Sequence, residues 1–261
     1  MLNRQCPRVK KAKFVCMKQQ VLIEVCADGI DSAIAAQKGG AHRIELCSAL
    51  SIGGLTPSKG LMESVISCLT IPVNVLIRPR EGDFLYSSSE FNVIQSDIVA
   101  AKEAGASGIV IGLLNSDGTV DTLRMKELTD LCRPMSVTFH RAFDMTKDPQ
   151  EALEQIIKLG CDRILTSGGY ISAFAGKIMI ASLVKKANNR IVIMAGAGIN
   201  ESNFMELAHT TECPEYHLSA SGRRTGEMNF MNKQLSAVFP DSYPITDISK
   251  VEAICKLAAS L

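Results

Sequence analysis

The sequence predicts a single-domain α/β protein, a (β/α)₈ barrel of the TIM type, and three observations predict it. Eight short apolar runs rich in Val, Ile or Leu recur from residue 20 onward, separated by stretches long enough for a helix and its crossover. A local unit of helix end, glycine turn and strand repeats in AAQKGGAHRIEL from Ala35, AKEAGASGIVIG from Ala101 and IIKLGCDRILTS from Ile156. The length of 261 residues suits one such unit, and no second linker divides it. An open doubly wound sheet gives the same local pattern, but eight unbroken βα units favour the closed barrel.

The runs fall at 21–26, 43–47, 73–77, 108–112, 136–140, 163–166, 191–195 and 216–219. Asp148-Pro149 ahead of Glu151 marks one helix start, and Asp247 marks another ahead of the last apolar stretch, 248–257, which completes the outer ring. Residues 1–19 hold Arg4, Arg8, Lys10, Lys11, Lys13 and Lys18 and no acid. They read as a basic, disordered leader ahead of a barrel over 20–261. The whole chain carries +1, so setting these six charges aside leaves −5 for the rest.

A hydrophobic fraction of 46% supplies a large core, and the small net charge gives no bias toward nucleic acid or an anionic membrane. No run reaches the roughly 18 apolar residues of a membrane span, and no secretory signal opens the chain. The expected location is the cytoplasm, with the nucleus as a second. Nine cysteines, odd in number, scattered and without a C-x-x-C pair, read as reduced thiols rather than a disulfide framework or a zinc site. No strand tip carries a lysine, so a Schiff-base aldolase mechanism has no obvious nucleophile, and no nucleotide fingerprint is present.

Parallel barrel strands are buried on both faces, so the polar residues inside them require an explanation. Alternation supplies it. Glu24 and Cys26 share one face of the first run while Ile23 and Val25 share the other; Glu45 and Cys47 stand opposite Ile44 and Leu46 in the second. The same parity aligns Asn74, Leu76 and Arg78; Ser136, Thr138 and His140; and His217 with Ser219. The polar set points to the barrel axis, with its later members at the catalytic mouth. One outcome is an internal salt-bridge network of Glu24 and Glu45 with Arg78, Arg80 or Arg141.

The other outcome is a site. As an enzyme, the mouth offers His140 as general acid or base, Glu24 and Glu45 as carboxylates, and Arg78 and Arg141 to hold charge. Gly196 and Gly198 after the seventh run, and Ser219 and Ser221 with His217 at the eighth, would bind a small anionic or phosphorylated substrate through loop amides. As a metal protein, the matched I-E-x-C pairs would bring Cys26 and Cys47 together. Adjacent strands lie about 4.8 Å apart, so a shared register would place both sulfurs around one soft Cu(I) ion.

These residues sit within stretches that resemble the CutC copper-homeostasis family: IEVCAD from Ile23, GGAHRIELCSALSIGGLTPS from Gly39, IPVNVLIRPREGDFLYS from Ile71, VTFHRAFDM from Val137, RILTSG from Arg163 and EYHLSAS from Glu215. The resemblance implies a TIM barrel, a cytosolic homo-oligomer (dimer or tetramer) and a link to copper tolerance through Cu(I). Cys26 and Cys47 fall on the strand-end cysteines proposed there as copper ligands. Three positions depart from the family pattern: His42 stands for Asp, Glu81 for Gly in RPRGGDF, and Ala197 interrupts Gly-Gly-Gly after the seventh run.

Overall fold

The computed structural model describes residues 21–261; the expected leader over 1–19 lies outside the described residues. Eight parallel strands close into one barrel in chain order: β1 (Leu22–Ala27), β2 (Arg43–Leu46), β3 (Val73–Leu76), β4 (Gly108–Ile111), β5 (Ser136–Phe139), β6 (Arg163–Thr166), β7 (Val192–Gly196) and β8 (Glu215–Leu218), with β8 beside β1. Each expected run matches its strand to within one residue at either end. Around them lie α1 (Ile30–Lys38), α2 (Lys59–Cys68), α3 (Ser88–Glu103), α4 (Thr122–Cys132), α5 (Pro149–Lys158), α6 (Lys177–Ala187) and α7 (Phe204–Thr211); α8 (Ile248–Ala259) closes the ring.

The repeated glycine turns adopt one geometry. Gly40, Gly105 and Gly160 take φ of 90°, 90° and 78° after α1, α3 and α5, a left-handed stop that a side chain resists. Asp148 and Asp247 cap α5 and α8 as expected, each accepting two backbone N–H groups of the first turn. Ile23, Val25, Ile44, Leu46, Val73 and Val75 are buried beneath the helices in the main apolar core.

Register decides which polar side chains meet inside. Cys26, Glu45, Asn74, Gly108 and Ser136 are successive inward-facing partners. Two residues up from Ser136, Thr138 pairs with Arg163, and Arg163 with Val192; two up again, Met194 pairs with Glu215, and Glu215 with Leu22. The circuit climbs four residues and ends four below Cys26. That is the shear of about eight at which an eight-stranded barrel fills its interior with side chains.

Between β8 and α8 the repeat is interrupted by an arm. β9 (Ser221–Thr225) and β10 (Ser242–Thr246) form an antiparallel hairpin with residues 226–241 at its tip. Its root is tied to α1: the Thr246 N–H donates to Ser32 Oγ, and Arg224 pairs with Asp31 at 2.9 Å. No helix among the described residues is long and apolar enough to cross a membrane.

Candidate functional site

The lower barrel interior holds a closed ion network. Arg43 donates through Nε to Glu24 and through Nη2 to Glu215 at 2.5 Å; Arg163 Nε donates to Glu215 at 2.8 Å. Glu24 also accepts from Asn74 Nδ2 at 3.4 Å, and its other oxygen lies 2.9 Å from His217 Nδ1. Burial opposes ionisation of Glu24, but the Arg43 guanidinium and the His217 contact outweigh it and hold the carboxyl at about 2.

The network replaces the expected partners. Arg78 donates to the carbonyls of Ile52, Gly54 and Gly82, Arg80 pairs with Asp83 and Glu90, and Arg141 pairs with Asp144. These three arginines lie beyond the strand ends and serve the loops. Arg43 and Arg163 begin their strands on the inward face, level with the carboxylates. Parity would have found Arg43, two residues before Glu45, and Glu215, two before His217.

Above the floor, His217 Nε2 lies 3.8 Å from Glu45 Oε1. Burial and the nearby Glu24 push the Glu45 carboxyl up to about 7 against the pull of His217. Burial disfavours the His217 imidazolium, yet the carboxylates around it carry its pKa well above the ordinary histidine value. Glu24, Glu45 and His217 bring ligand atoms within 4.8 Å of one another, two hard carboxylates and one borderline imidazole. Arg43 already supplies positive charge to it.

The cysteines are not level. Cys26 pairs with Glu45 across β1 and β2, and the Cys47 N–H donates to the Ala27 carbonyl, so Cys47 stands one inward step above Cys26. The expected shared register is corrected by the stagger of the closed barrel. Cys26 lines the mouth cavity with its thiol 3.6 Å from the Leu218 carbonyl. Cys47 packs among Leu76, Val110 and Leu50, and burial, then Glu45, drives its thiol pKa far above the ordinary range.

The mouth encloses a cavity of about 420 Å³. Of the expected residues, Glu45, Arg78, His140, Arg141, His217 and Ser219 line it with Cys26 and Gly198. Glu24 lies beneath. Gly196 supports the wall instead: a Cβ there would come within 2.5 Å of Leu165 Cδ1. Ser221 belongs to β9, paired with Thr246, and its carbonyl accepts from Lys250. Phe84, Leu50 and Asp144 complete the walls from loops whose folding the sequence pattern did not indicate.

His140 is seated by close packing. A Cβ on Gly112 would lie 2.6 Å from its Nδ1, and the Phe84 ring is 4.9 Å away. Nδ1 accepts the Ala142 N–H at 3.1 Å, which puts the proton of the neutral ring on Nε2. Burial, then the Arg78 charge, lowers its pKa to about 3. His140 therefore presents a neutral N–H donor rather than a base. Three buried atoms on the cavity-lining residues have no hydrogen-bond partner among the described residues: Glu45 Oε2, Arg78 Nε and His140 Nε2. Ala197 takes φ of 85° and Gly198 73°, so the alanine that interrupts the glycine run keeps a glycine's conformation.

Fold and site define a (β/α)₈ barrel with a cavity at the C-terminal ends of its strands, lined by ionisable side chains among apolar ones. The chain belongs to the CutC family, whose model matches residues 21–222. It is 48% identical over 235 residues to the CutC protein of Vibrio vulnificus, covering 88% of this chain and 94% of that one. It is 44% identical over 245 residues to the human copper homeostasis protein cutC homolog, covering 92% and 90%. The crystal structure of a CutC protein from Streptococcus agalactiae, described as a copper homeostasis protein, superposes with a TM-score of 0.73 at 32% identity, over 76% of this chain and 98% of that one.

Glu24→Gln should destabilise the barrel by about 3–5 kcal/mol in urea unfolding at neutral pH, since it strips charge from a buried pair. The folded carboxyl titrates at about 2 against an ordinary 4.5. Its contribution is therefore full above the ordinary value and lost as pH falls toward the folded one. The gap between wild type and variant should shrink through that window; a gap that persists unchanged would show that ionised Glu24 contributes nothing.

Proposed function

We propose that this copper-homeostasis family member is an enzyme acting on a small anionic molecule held in the mouth cavity. The observation that carries the reading is the set of three buried, unpartnered polar atoms, Glu45 Oε2, Arg78 Nε and His140 Nε2. Burying such atoms without partners costs about 1–3 kcal/mol each, which a bound ligand would recover. His140 Nε2–H would polarise a ligand oxygen. Glu45, in contact with His217, is the group placed to exchange a proton with the ligand, and Arg141 holds its negative charge at the rim.

Incubation of the protein with a deproteinised cell extract, followed by mass spectrometry, should reveal an anionic metabolite consumed by wild type. Glu45→Gln should abolish the loss and His140→Ala should slow it by about 10²-fold or more, both with wild-type circular dichroism. Consumption that both variants sustain at the wild-type rate would remove these residues from the chemistry, and a wild type that consumes nothing would count against catalysis.

A second reading is Cu(I) bound by Cys26 and Cys47. One observation favours it: the Cys26 thiol opens onto the cavity beside His217, with Cys47 one inward step above on the neighbouring strand. Copper would then be cargo, in a cytoplasmic or nuclear setting that keeps both thiols reduced. Anaerobic Cu(I) titration against a competing chelator should give one tightly held ion per chain, lost in the Cys26→Ser, Cys47→Ser double variant. Equal binding by that variant would exclude the pair as ligands.

For the arm we propose a second copy of this chain as its partner, giving a dimer or, with a further interface, a tetramer. Met228, Phe230, Val238 and Phe239 are 65–75% exposed at its tip. Together with Leu235 and Tyr243 they present roughly 800 Å² of apolar surface, taking about 150–250 Å² for each aromatic side chain; that is one partner's share of a stable interface. A two-stranded hairpin is marginal alone. Glu227, Lys233 and Asp241 give the tip both signs of charge, compatible with its own copy. Light scattering should find an oligomer that Phe230→Ser with Phe239→Ser converts to a folded monomer; a monomeric wild type would overturn the pairing.

A further inference from the structure

Peptide planarity determines where the amides after β7 point. In a trans unit the carbonyl and the following N–H face opposite ways. The Ala197 carbonyl accepts the Ala173 N–H at 2.9 Å, and the Gly198 carbonyl accepts Asn203 Nδ2 at 2.8 Å and Asn200 Nδ2 at 3.3 Å. None of these donors belongs to the cavity wall. The N–H groups of Gly198 and Ile199 are thus turned away from those donors, in a segment that lines the cavity. Two successive residues with positive φ, Ala197 and Gly198, curl the chain in this way.

The neighbouring loop repeats the feature. Ser219 lines the same wall, and Ala220 after it is left-handed at φ 45°, a conformation alanine avoids. Among the described residues, the N–H groups of Gly198, Ile199 and Ser219 donate to no protein acceptor. Ile199 is buried, and a buried backbone donor is rarely left in that state.

Across the mouth, Arg141 is held flat. Its Nε donates to Asp144 at 2.8 Å and its Nη2 to Ser167 Oγ at 3.0 Å, leaving Nη1 without a bond among the described residues. Asp144 is itself fixed by Thr166 Oγ1 at 2.5 Å and by the N–H groups of Ser167 and Gly169 at 3.1 Å. The 95% buried His140, with Nε2 unpartnered, lies on the same cavity.

We infer that the loops after β7 and β8, with Arg141, form a subsite for the phosphoryl group of a phosphate monoester, whose remainder extends toward Glu45 and His140. The inference rests on reading the cavity as a small-molecule site. Three amides and one guanidinium edge, contributed by three loops, suit a tetrahedral group with three terminal oxygens. A planar carboxylate could accept as many bonds, but only near its own plane, whereas donors from three separate loops suit three oxygens that do not share one. The cavity volume of about 420 Å³ admits a small metabolite of this kind.

The test is amide-resolved NMR of the full chain, titrated separately with glycerol 3-phosphate, inorganic phosphate and acetate. The ester should shift the Gly198, Ile199 and Ser219 amides saturably and bind more tightly than either other anion, and Arg141→Ala should weaken it by about 10-fold or more. Inorganic phosphate binding as well as the ester would overturn the substrate class in favour of a free-phosphate site, and acetate binding as well would overturn the phosphoryl preference. No saturable shift at these amides with any of the three would remove the subsite. Glu45→Gln should retain the ester-induced shifts. Intact shifts with no metabolite consumed would sink the enzyme reading alone, whereas consumption without shifts would sink the subsite alone.

Discussion

The Arg43 guanidinium is the constraint on which the barrel interior depends. It joins Glu24 of β1 to Glu215 of β8, and Glu215 extends the chain of charges to Arg163 of β6. Two carboxylates and two guanidinium groups balance in a space largely closed to water, with Arg163 half-buried at its edge. Mutual attraction offsets their desolvation only while each keeps its partners. β1 and β8 are also the strands that close the barrel. The network consequently sits at the seam, where a slip in register by one residue would turn the whole set outward into the helices.

That closed floor gives the mouth its character. Below, every carboxylate has a cationic partner, although Asn74 Oδ1 and Arg163 Nη1 have no hydrogen bond among the described residues. One layer above, Glu45 retains an oxygen with no partner, and the charge of His217 is divided between Glu45 and the already committed Glu24. The pKa directions follow this layering: Glu24 is held low by Arg43, whereas Glu45, without an arginine, is pushed up by burial. Unequal environments for neighbouring carboxyls are how one cavity acquires both a fixed charge and a group that can exchange a proton.

The fold was legible because its signal is periodic. Strand runs, glycine stops and the Asp148 and Asp247 caps are local, and each constrains its own segment. Alternation also placed Glu24, Glu45, Cys26, His140 and His217 inward correctly. The failures came where two strands had to be compared. Whether Cys26 and Cys47 lie level depends on the shear of the closed barrel, which neither I-E-x-C motif contains. A basic residue opening a strand, as Arg43 does, reads as a solvent-facing end, and only closure turns it toward Glu215. Asp144 and Phe84 reach the mouth through loop paths that no period encodes. The tautomer of His140 depends on one backbone N–H, that of Ala142, and it narrows the expected general acid or base to an N–H donor.

Charge bookkeeping connects the two readings of the cavity. A Cu(I) ion held by two thiolates would leave one net negative charge in a buried place, and the thiol of Cys47 already resists ionisation because of burial and Glu45. His217, in contact with the Cys26 region and carrying a raised pKa, is the nearby group able to compensate it as an imidazolium. An anionic ligand reaching toward Glu45 would call on the same imidazolium. Copper and an organic anion would therefore both draw on the His217 imidazolium at the base of the cavity, with Arg78 and Arg141 left to the anion alone, so filling one site should disfavour the other even where their ligand atoms do not touch.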